Sequence, residues 1–268
     1  SADQQLVVAD SQNNRVLIWK TLPTHSGQAA DVVVGQNSFT SKLSATTQTG
    51  LSYPTAAIIA GNQLMVADRN NNRVMIWSNV PAAGNHGAAA DLVLGQTDFV
   101  SNGHDDEAYA LYNPSSLWSD GYQLLVADTG NNRVLYWSNA PQDIGAAATY
   151  VVGQTDFSRS TAGTAASTLR SPFGVSSDGS SFYVADQGNN RVLKFDSLPI
   201  SNGMNASYVY GQDNDNFTAA TANDEDQDGT KDDTPSAKTL NGPSGVFIAA
   251  GLLYITDRNN HRVLLFAP

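Results

Sequence analysis

The stretch Leu124-Leu-Val-Ala-Asp-Thr-Gly-Asn-Asn-Arg-Val-Leu-Tyr-Trp137 occurs five times with small changes, in copies that start at Leu6, Leu64, Leu124, Phe182 and Leu253. The arginines of the copies are Arg15, Arg73, Arg133, Arg191 and Arg262, so successive intervals are 58, 60, 58 and 71 residues. A repeat that runs from end to end argues for a single domain of stacked units. The units fall at approximately 1–52, 53–112, 113–171, 172–242 and 243–268.

Working outward from that stretch, each unit reads as four short strands. In the third, Ser115–Ser119 follows a proline and forms strand A, Gln123–Ala127 forms B, Arg133–Trp137 forms C, and Thr149–Val152, ahead of Gly-Gln, forms D. Val, Ile, Leu, Tyr and Trp fill these runs, and Gly, Asn, Asp and Pro separate them, as strands and their turns require. No segment carries a sustained helical period, so the chain reads as all-β.

Between B and C lies Asp-Xaa-Xaa-Asn-Asn-Arg: Asp10–Arg15, Asp68–Arg73, Asp128–Arg133, Asp186–Arg191 and Asp257–Arg262, the last with His261 in the second Asn place. Asp and Asn bond their own backbone and tolerate left-handed conformations, which suits a tight hairpin loop. The Asp and Arg of each copy are expected to pair across the loop or with the neighbouring unit. Five near-identical copies fit a structural brick better than a ring of anion sites. The strand-C endings Trp19, Trp77, Trp137, Phe195 and Phe266 share one repeat position, and Phe39, Phe99, Phe157 and Phe217 share another. Equal spacing favours wedges between twisted sheets over sugar-stacking platforms for both sets.

Four-stranded units too small to stand alone are the mark of a β-propeller. The phrases Val-Ala-Asp-Thr-Gly-Asn-Asn-Arg-Val and Val-Ala-Asp-Gln-Gly-Asn-Asn-Arg-Val, with Pro-Xaa-Gly-Val ahead of the later copies (Pro172–Val175, Pro243–Val246), resemble NHL-repeat β-propellers along the whole chain. The units exceed the usual repeat length of about 40 residues. The extra length falls in the C–D and D–A loops and resembles the long form found in bacterial secreted or surface proteins. The resemblance implies about five four-stranded antiparallel blades and an extracellular, cell-surface or periplasmic setting. Counting gives four A, five B, five C and four D strands, so the terminal blades are expected to be incomplete. Five blades closing with two thin ones, a fragment of a longer propeller, and strands supplied by a partner chain all satisfy that count.

Composition narrows the partners. The chain of 268 residues is 41% apolar, 9% aromatic and 15% charged, with no cysteine, which excludes disulfides and thiolate metal sites. No apolar run approaches the roughly 18 residues of a bilayer span, so no membrane insertion is expected. Net charge is −11, of which residues 213–233 hold −7 through eight acids and Lys231. An acidic chain without a basic patch is repelled by phosphate backbones, and no nucleic-acid partner is expected.

Chemistry is expected on the long D–A loops, roughly 40–53, 100–113, 158–171 and 213–242. The last carries Asp224, Asp226 and Asp228 at alternate positions ahead of Gly229, the first half of a calcium loop. Thr230 would add a backbone carbonyl and Asp232 a further oxygen. Pro235 stands where the bidentate Glu belongs, so the resemblance is to shorter calcium loops, with Asp233 the candidate last ligand. Calcium is the expected cofactor. Tyr109, Tyr112, Trp118 and Tyr122 gather near strand A of the third unit and form a candidate ligand patch, against a reading as packing and surface rings.

No catalytic residues are assigned. His25, His86, His104 and His261 show no motif spacing, and no nucleophile motif or phosphate loop is present. Similar propeller lyases use a His-bound zinc and propeller lactonases an acidic calcium site, but neither set can be picked out here. The functional reading is a noncatalytic extracellular scaffold that binds a protein or glycan partner, with self-association through the terminal blades. Its rivals are a metal-dependent propeller hydrolase or lyase with its site at the central channel, and a structural subunit of a surface polymer.

Overall fold

The computed structural model describes residues 4–212 and 216–267; Asp213 and Asp215, two of the acids counted above, lie outside the described residues. Among the described residues eighteen strands follow one another, grouped as five antiparallel meanders. The first blade holds β1 (Leu6–Asp10), β2 (Arg15–Trp19) and β3 (Val32–Val34). The second runs β4 (Pro54–Ala60), β5 (Gln63–Asp68), β6 (Arg73–Trp77) and β7 (Leu92–Leu94). The third comprises β8 (Pro114–Ser119), β9 (Leu124–Asp128), β10 (Arg133–Trp137) and β11 (Tyr150–Val152), and the fourth β12 (Pro172–Ser177), β13 (Phe182–Asp186), β14 (Arg191–Phe195) and β15 (Tyr208–Tyr210). The fifth has three strands, β16 (Pro243–Ala249), β17 (Leu252–Asp257) and β18 (Arg262–Phe266). This is an all-β propeller fold with three-stranded first and last blades. No helix among the described residues is long and apolar enough to cross a membrane.

The chain divides into two compact units, Ser1–Leu124 with Trp137–Ala147, and Leu125–Tyr136 with Ala148–Pro268. In the first, β-branched and Leu side chains from β2, β3, β5, β6 and β7 meet in one core that includes Val16, Ile18, Leu64, Val66, Met75 and Trp77. In the second, Tyr183, Val192, Leu240, Leu253 and Ile255 form the corresponding core between the fourth and fifth blades. Inner strands approach closely there: a Cβ on Gly174 would lie 2.8 Å from the Ser244 carbonyl oxygen, so only glycine fits in β12 against β16.

Each hexapeptide is tighter than a plain hairpin loop. Its Asp closes the strand opposite its Arg (Asp10 with Arg15, Asp68 with Arg73, Asp186 with Arg191, Asp257 with Arg262), and the residues between make one 3₁₀ turn. The turn ends in a left-handed residue, Asn14, Asn72, Asn132, Asn190 or His261, with φ of 51–53°. Asparagine enters that region at low cost because its short amide bonds locally.

The two aromatic sets separate. Trp77, Trp137 and Phe195 are buried at the ends of their strands. Phe99, Phe157 and Phe217 are half-buried, Phe99 against the core of the first unit, while Phe39 is exposed, which corrects the reading of all four as equal wedges. The contact that all four share is made by their backbone carbonyls: each accepts from the arginine of its own unit.

Candidate functional site

The hexapeptide charges are spent inside the scaffold. Arg73 Nε donates to Asp68 Oδ2 at 2.7 Å, and Arg133–Asp128 (2.7 Å) and Arg191–Asp186 (2.8 Å) repeat the contact, all with fully buried side chains. Arg15–Asp10 and Arg262–Asp257 keep the same 2.7 Å with partial exposure. Arg73 also donates to the carbonyls of Phe99 (2.6 Å), Thr47 and Gly50 (both 3.0 Å), so it ties the D–A loop that follows its hairpin to the one that precedes it. Arg191 does so through Phe217, Thr164, Ala165 and Thr168, and Arg262 holds Ser236 and Thr239. Burial pushes the Asp68 and Asp186 carboxyls up, while the paired arginine and the backbone N–H groups of Ser52 and Arg170 pull them down. The second Asn bridges in the same way. Asn72 donates to Asn102 O at 2.9 Å and accepts from Asn113 N at 2.8 Å, and Asn190 does the same with Ala220 O and Gly242 N.

These contacts place the D–A loops beside the hairpins and fix both of their roots. The fourth such loop leaves a cavity of about 410 Å³ against β15 and β18. Its walls carry Tyr208, Tyr210 and Phe266 together with Asp224, Glu225 and Lys238. Tyr210 stands between the other rings, its centroid 4.7 Å from Tyr208 and 5.2 Å from Phe266. Burial, and then its neighbours Tyr183, Tyr208 and Asp196, push the Tyr210 phenol up to about 12. Aromatic faces beside both signs of charge and amide groups suit a partner that is partly apolar and partly polar.

The structure gathers three of the six expected metal-site residues. Carboxylate oxygens of Asp224, Asp226 and Asp228 lie within 4.8 Å of one another, Asp224 buried and the other two exposed. Asp224 accepts from the N–H groups of Asp228 (3.2 Å) and Gly229 (3.0 Å), and the Thr230 N–H turns to Asp228 Oδ1 at 2.7 Å. Asp232 accepts from the Glu225 N–H at 3.0 Å, and neither it nor Asp233 joins the group of three. Three carboxylate oxygen donors this close together could hold a metal ion. Asp224 belongs to both the acidic group and the cavity wall.

Of the aromatic patch, Tyr112 stacks on His104 with centroids 4.0 Å apart, and Tyr109 is exposed beside it. Trp118 is half-buried in β8, and Tyr122 is exposed beyond its far end. A six-residue strand spans roughly 20 Å, so Tyr122 does not share a surface patch with Tyr109 and Tyr112. Of the cavity aromatics, Phe266 was read in the sequence only as a strand-C wedge, and Tyr208 and Tyr210 went unread. The signal available was their alternation in Tyr208-Val-Tyr210, where the other D strands carry aliphatic residues or a single Tyr.

Residues 240–266 match the NHL repeat family. The match spans the fifth unit, and the other four share its Asp-to-Arg hexapeptide with the hairpin around it. A comparison with curated proteins found no match. Among solved structures the fold is similar to a chain of the nidogen/laminin complex, with a TM-score of 0.54, 14% identity, and coverage of 99% of this chain and 72% of that one. It is also similar to a candidate 6-phosphogluconolactonase from Bacteroides uniformis ATCC 8492, with a TM-score of 0.52, 13% identity, and coverage of 98% and 63%. A functionally unknown protein from Desulfotomaculum acetoxidans DSM 771 is similar with a TM-score of 0.50, 10% identity, and coverage of 96% and 60%. The chain thus spans less than two thirds of the length of the latter two, and at these identities the likeness is one of fold.

Proposed function

We propose that the chain is a noncatalytic binding scaffold that acts outside the cell and takes a protein or glycan partner at the cavity beside β15 and β18. The observation that carries this reading is the set Tyr208, Tyr210 and Phe266, held on rigid strands next to Lys238 and Glu225. Rigid aromatics flanked by charge supply binding area at little entropic cost. Calcium at Asp224, Asp226 and Asp228 completes the proposal, because a cation there offsets part of the negative charge of the loop that forms one wall. The nidogen/laminin likeness agrees with a role in protein assembly at the level of fold.

A metal-dependent hydrolase is the second reading, favoured by one fact: Asp224 reaches both the acidic group and the cavity. Immobilised protein screened against glycan arrays and extracellular matrix proteins, in calcium and in chelator, separates the two. Retention that is lost in folded Tyr210→Ala and Phe266→Ala variants supports the scaffold. Metal-dependent turnover of lactone substrates would overturn it.

A further inference from the structure

Six dipeptides of the chain place Asn or Asp before glycine: Asn102-Gly103, Asn202-Gly203, Asn241-Gly242, Asp120-Gly121, Asp178-Gly179 and Asp228-Gly229. Such pairs are the reactive ones in a polypeptide, because a glycine nitrogen, unscreened by a Cβ, can reach the side-chain carbonyl carbon before it. In five of the six that nitrogen is already a donor. Gly203 N donates to Val151 O at 2.9 Å and Gly242 N to Asn190 Oδ1 at 2.8 Å. Gly121 N donates to Ser119 Oγ at 3.0 Å, Gly179 N to Ser177 Oγ at 2.9 Å and Gly229 N to Asp224 Oδ2 at 3.0 Å. The side chains of the two asparagines in this group are engaged as well: Asn202 Oδ1 accepts from Val151 N and Asn241 Oδ1 from Asn259 Nδ2, both at 3.1 Å.

Asn102-Gly103, in the D–A loop of the second blade, differs on each count. Among the described residues no acceptor meets the Gly103 N–H, and a Cβ on Gly103 would have nothing within 4 Å. Asn102 is exposed, and its amide reaches only Thr46 Oγ1, at 3.5 Å, the limit of a hydrogen bond. The main chain around this loose amide is nevertheless fixed. Asn72 Nδ2 donates to the Asn102 carbonyl at 2.9 Å, and Gln96 Nε2 to the Gly103 carbonyl at 2.7 Å. Asn72 therefore holds the oxygen of the same peptide group whose N–H is free. A donor on a peptide oxygen polarises the group and makes its N–H the better acid.

We propose that Asn102-Gly103 is a self-modifying site, at which Asn102 converts to aspartate and isoaspartate in the folded chain while Asn202 and Asn241 stay intact. The Gly103 N–H gives its proton to a solvent base, the nitrogen bonds to Asn102 Cγ, and the Cγ–Nδ2 bond breaks, with Nδ2 taking a proton and leaving as ammonia. The cyclic imide then takes up one water. Opening at Cγ leaves an aspartyl residue, and opening at the backbone carbonyl carbon leaves an isoaspartyl residue. Either product carries a new negative charge. The isoaspartyl form also inserts a methylene into the main chain between the points that Asn72 and Gln96 hold, so the loop no longer fits both clamps. This inference is independent of the binding reading above, since it concerns the second blade and not the cavity.

The intact chain, aged at mildly alkaline pH with and without urea and then mapped by peptide mass spectrometry with isoaspartyl-methyltransferase labelling, tests this. In the folded chain Asn102 should convert at least about tenfold faster than Asn202 and Asn241, whose glycine nitrogens are freed only by local opening. In urea the three rates should converge. Asn202 or Asn241 keeping pace with Asn102 in the folded chain overturns the inference, and so does an intact Asn102 in folded protein when urea converts it. Gly103→Ala meets open space, should fold as the parent does, and should slow the conversion about tenfold or more. Conversion of Asn102 at the parent's rate in that variant rules out attack by this nitrogen. Aged protein should be cut faster by protease within residues 100–113 than fresh protein, whereas fresh Asn102→Asp, which has the charge without the methylene, should match the fresh parent. Equal cleavage of aged and fresh protein overturns the loss of the clamp.

Discussion

Arg191 donates to the carbonyl of Thr168, 23 residues earlier in the chain, at 2.9 Å. The same guanidinium holds Asp186 at 2.8 Å and is fully buried with it, so one side chain joins a hairpin to the end of the preceding D–A loop. A buried charge so fully engaged is costly to unpair, because removal of one partner leaves the other desolvated and alone.

Arg73→Ala and Arg191→Ala should each lower the free energy of unfolding by about 3–5 kcal/mol, read from urea midpoints. Arg159→Ala, whose pair with Asp156 at 2.9 Å is largely exposed, should change it by less than about 1 kcal/mol. Equal effects at the two kinds of site would refute the assignment of the buried arginines as clamps.

Gly153→Ala should cost about 3 kcal/mol or more, since its Cβ would lie 2.6 Å from Leu169 Cδ1 and 3.0 Å from Asn132 O at a φ of +92°. Gly179 has nearly the same φ, +91°, with nothing within 4 Å. Gly179→Ala should therefore show the backbone cost alone, about 1–2 kcal/mol. The difference between their melting shifts measures how tightly the Gly-Gln turn packs beneath Leu169.

Tyr210 gives a pH dependence with a definite sign. Its phenol titrates near 12 in the folded chain and near 10 when unfolded, so above about pH 10 the unfolded state releases the proton first. Stability should fall as pH rises from about 10 to 12 and be indifferent to this group below about 10. Ultraviolet titration should find the Tyr210 phenol among the late-ionising ones, with Tyr183 also raised by burial, and Tyr210→Phe should remove its own late step and its share of the alkaline fall.

Calcium should raise the melting temperature and slow proteolysis between residues 216 and 242. Asp226→Asn should abolish both effects without lowering stability in chelator, because Asp226 is exposed, whereas Asp224→Asn should also disturb the loop through its bonds to Asp228 and Gly229. Titration calorimetry that registers no heat with calcium would remove the metal from the proposal.

Much of this architecture could be read from the hexapeptide. Asp-Xaa-Xaa-Asn-Asn-Arg pointed to a hairpin, its recurrence to blades, and the strand count to three-stranded ends. What it did not reveal was the division of labour between the two asparagines. Asn71 donates to Asp68 at 2.8 Å and reaches back to Ala45 O at 2.9 Å, while Asn72 turns left-handed and reaches forward to Asn102 and Asn113. Those partners lie 30 and 41 residues away, beyond any local pattern. The rings after Gly-Gln misled because equal spacing was taken to mean equal burial; the repeated contact uses their carbonyls, which the residue type does not encode. The cavity was illegible for a related reason, as its walls come from β15, β18 and a loop far apart in sequence.

The clamps at Phe217, Ser236 and Thr239 fasten the fourth D–A loop at both of its roots, and Asn223 ties it to Asn260 of the last hairpin, leaving residues 225–233, between these anchors, outside the strand ladders. Such a loop is a cassette. Foreign sequence exchanged for residues 225–233 would be displayed at a fixed place while the arginines keep the scaffold in register. The same insulation explains how one unit can carry an interval of 71 residues beside neighbours of 58 to 60 and still fold as a blade. Length can then change by addition at one loop, with no compensating change elsewhere in the chain.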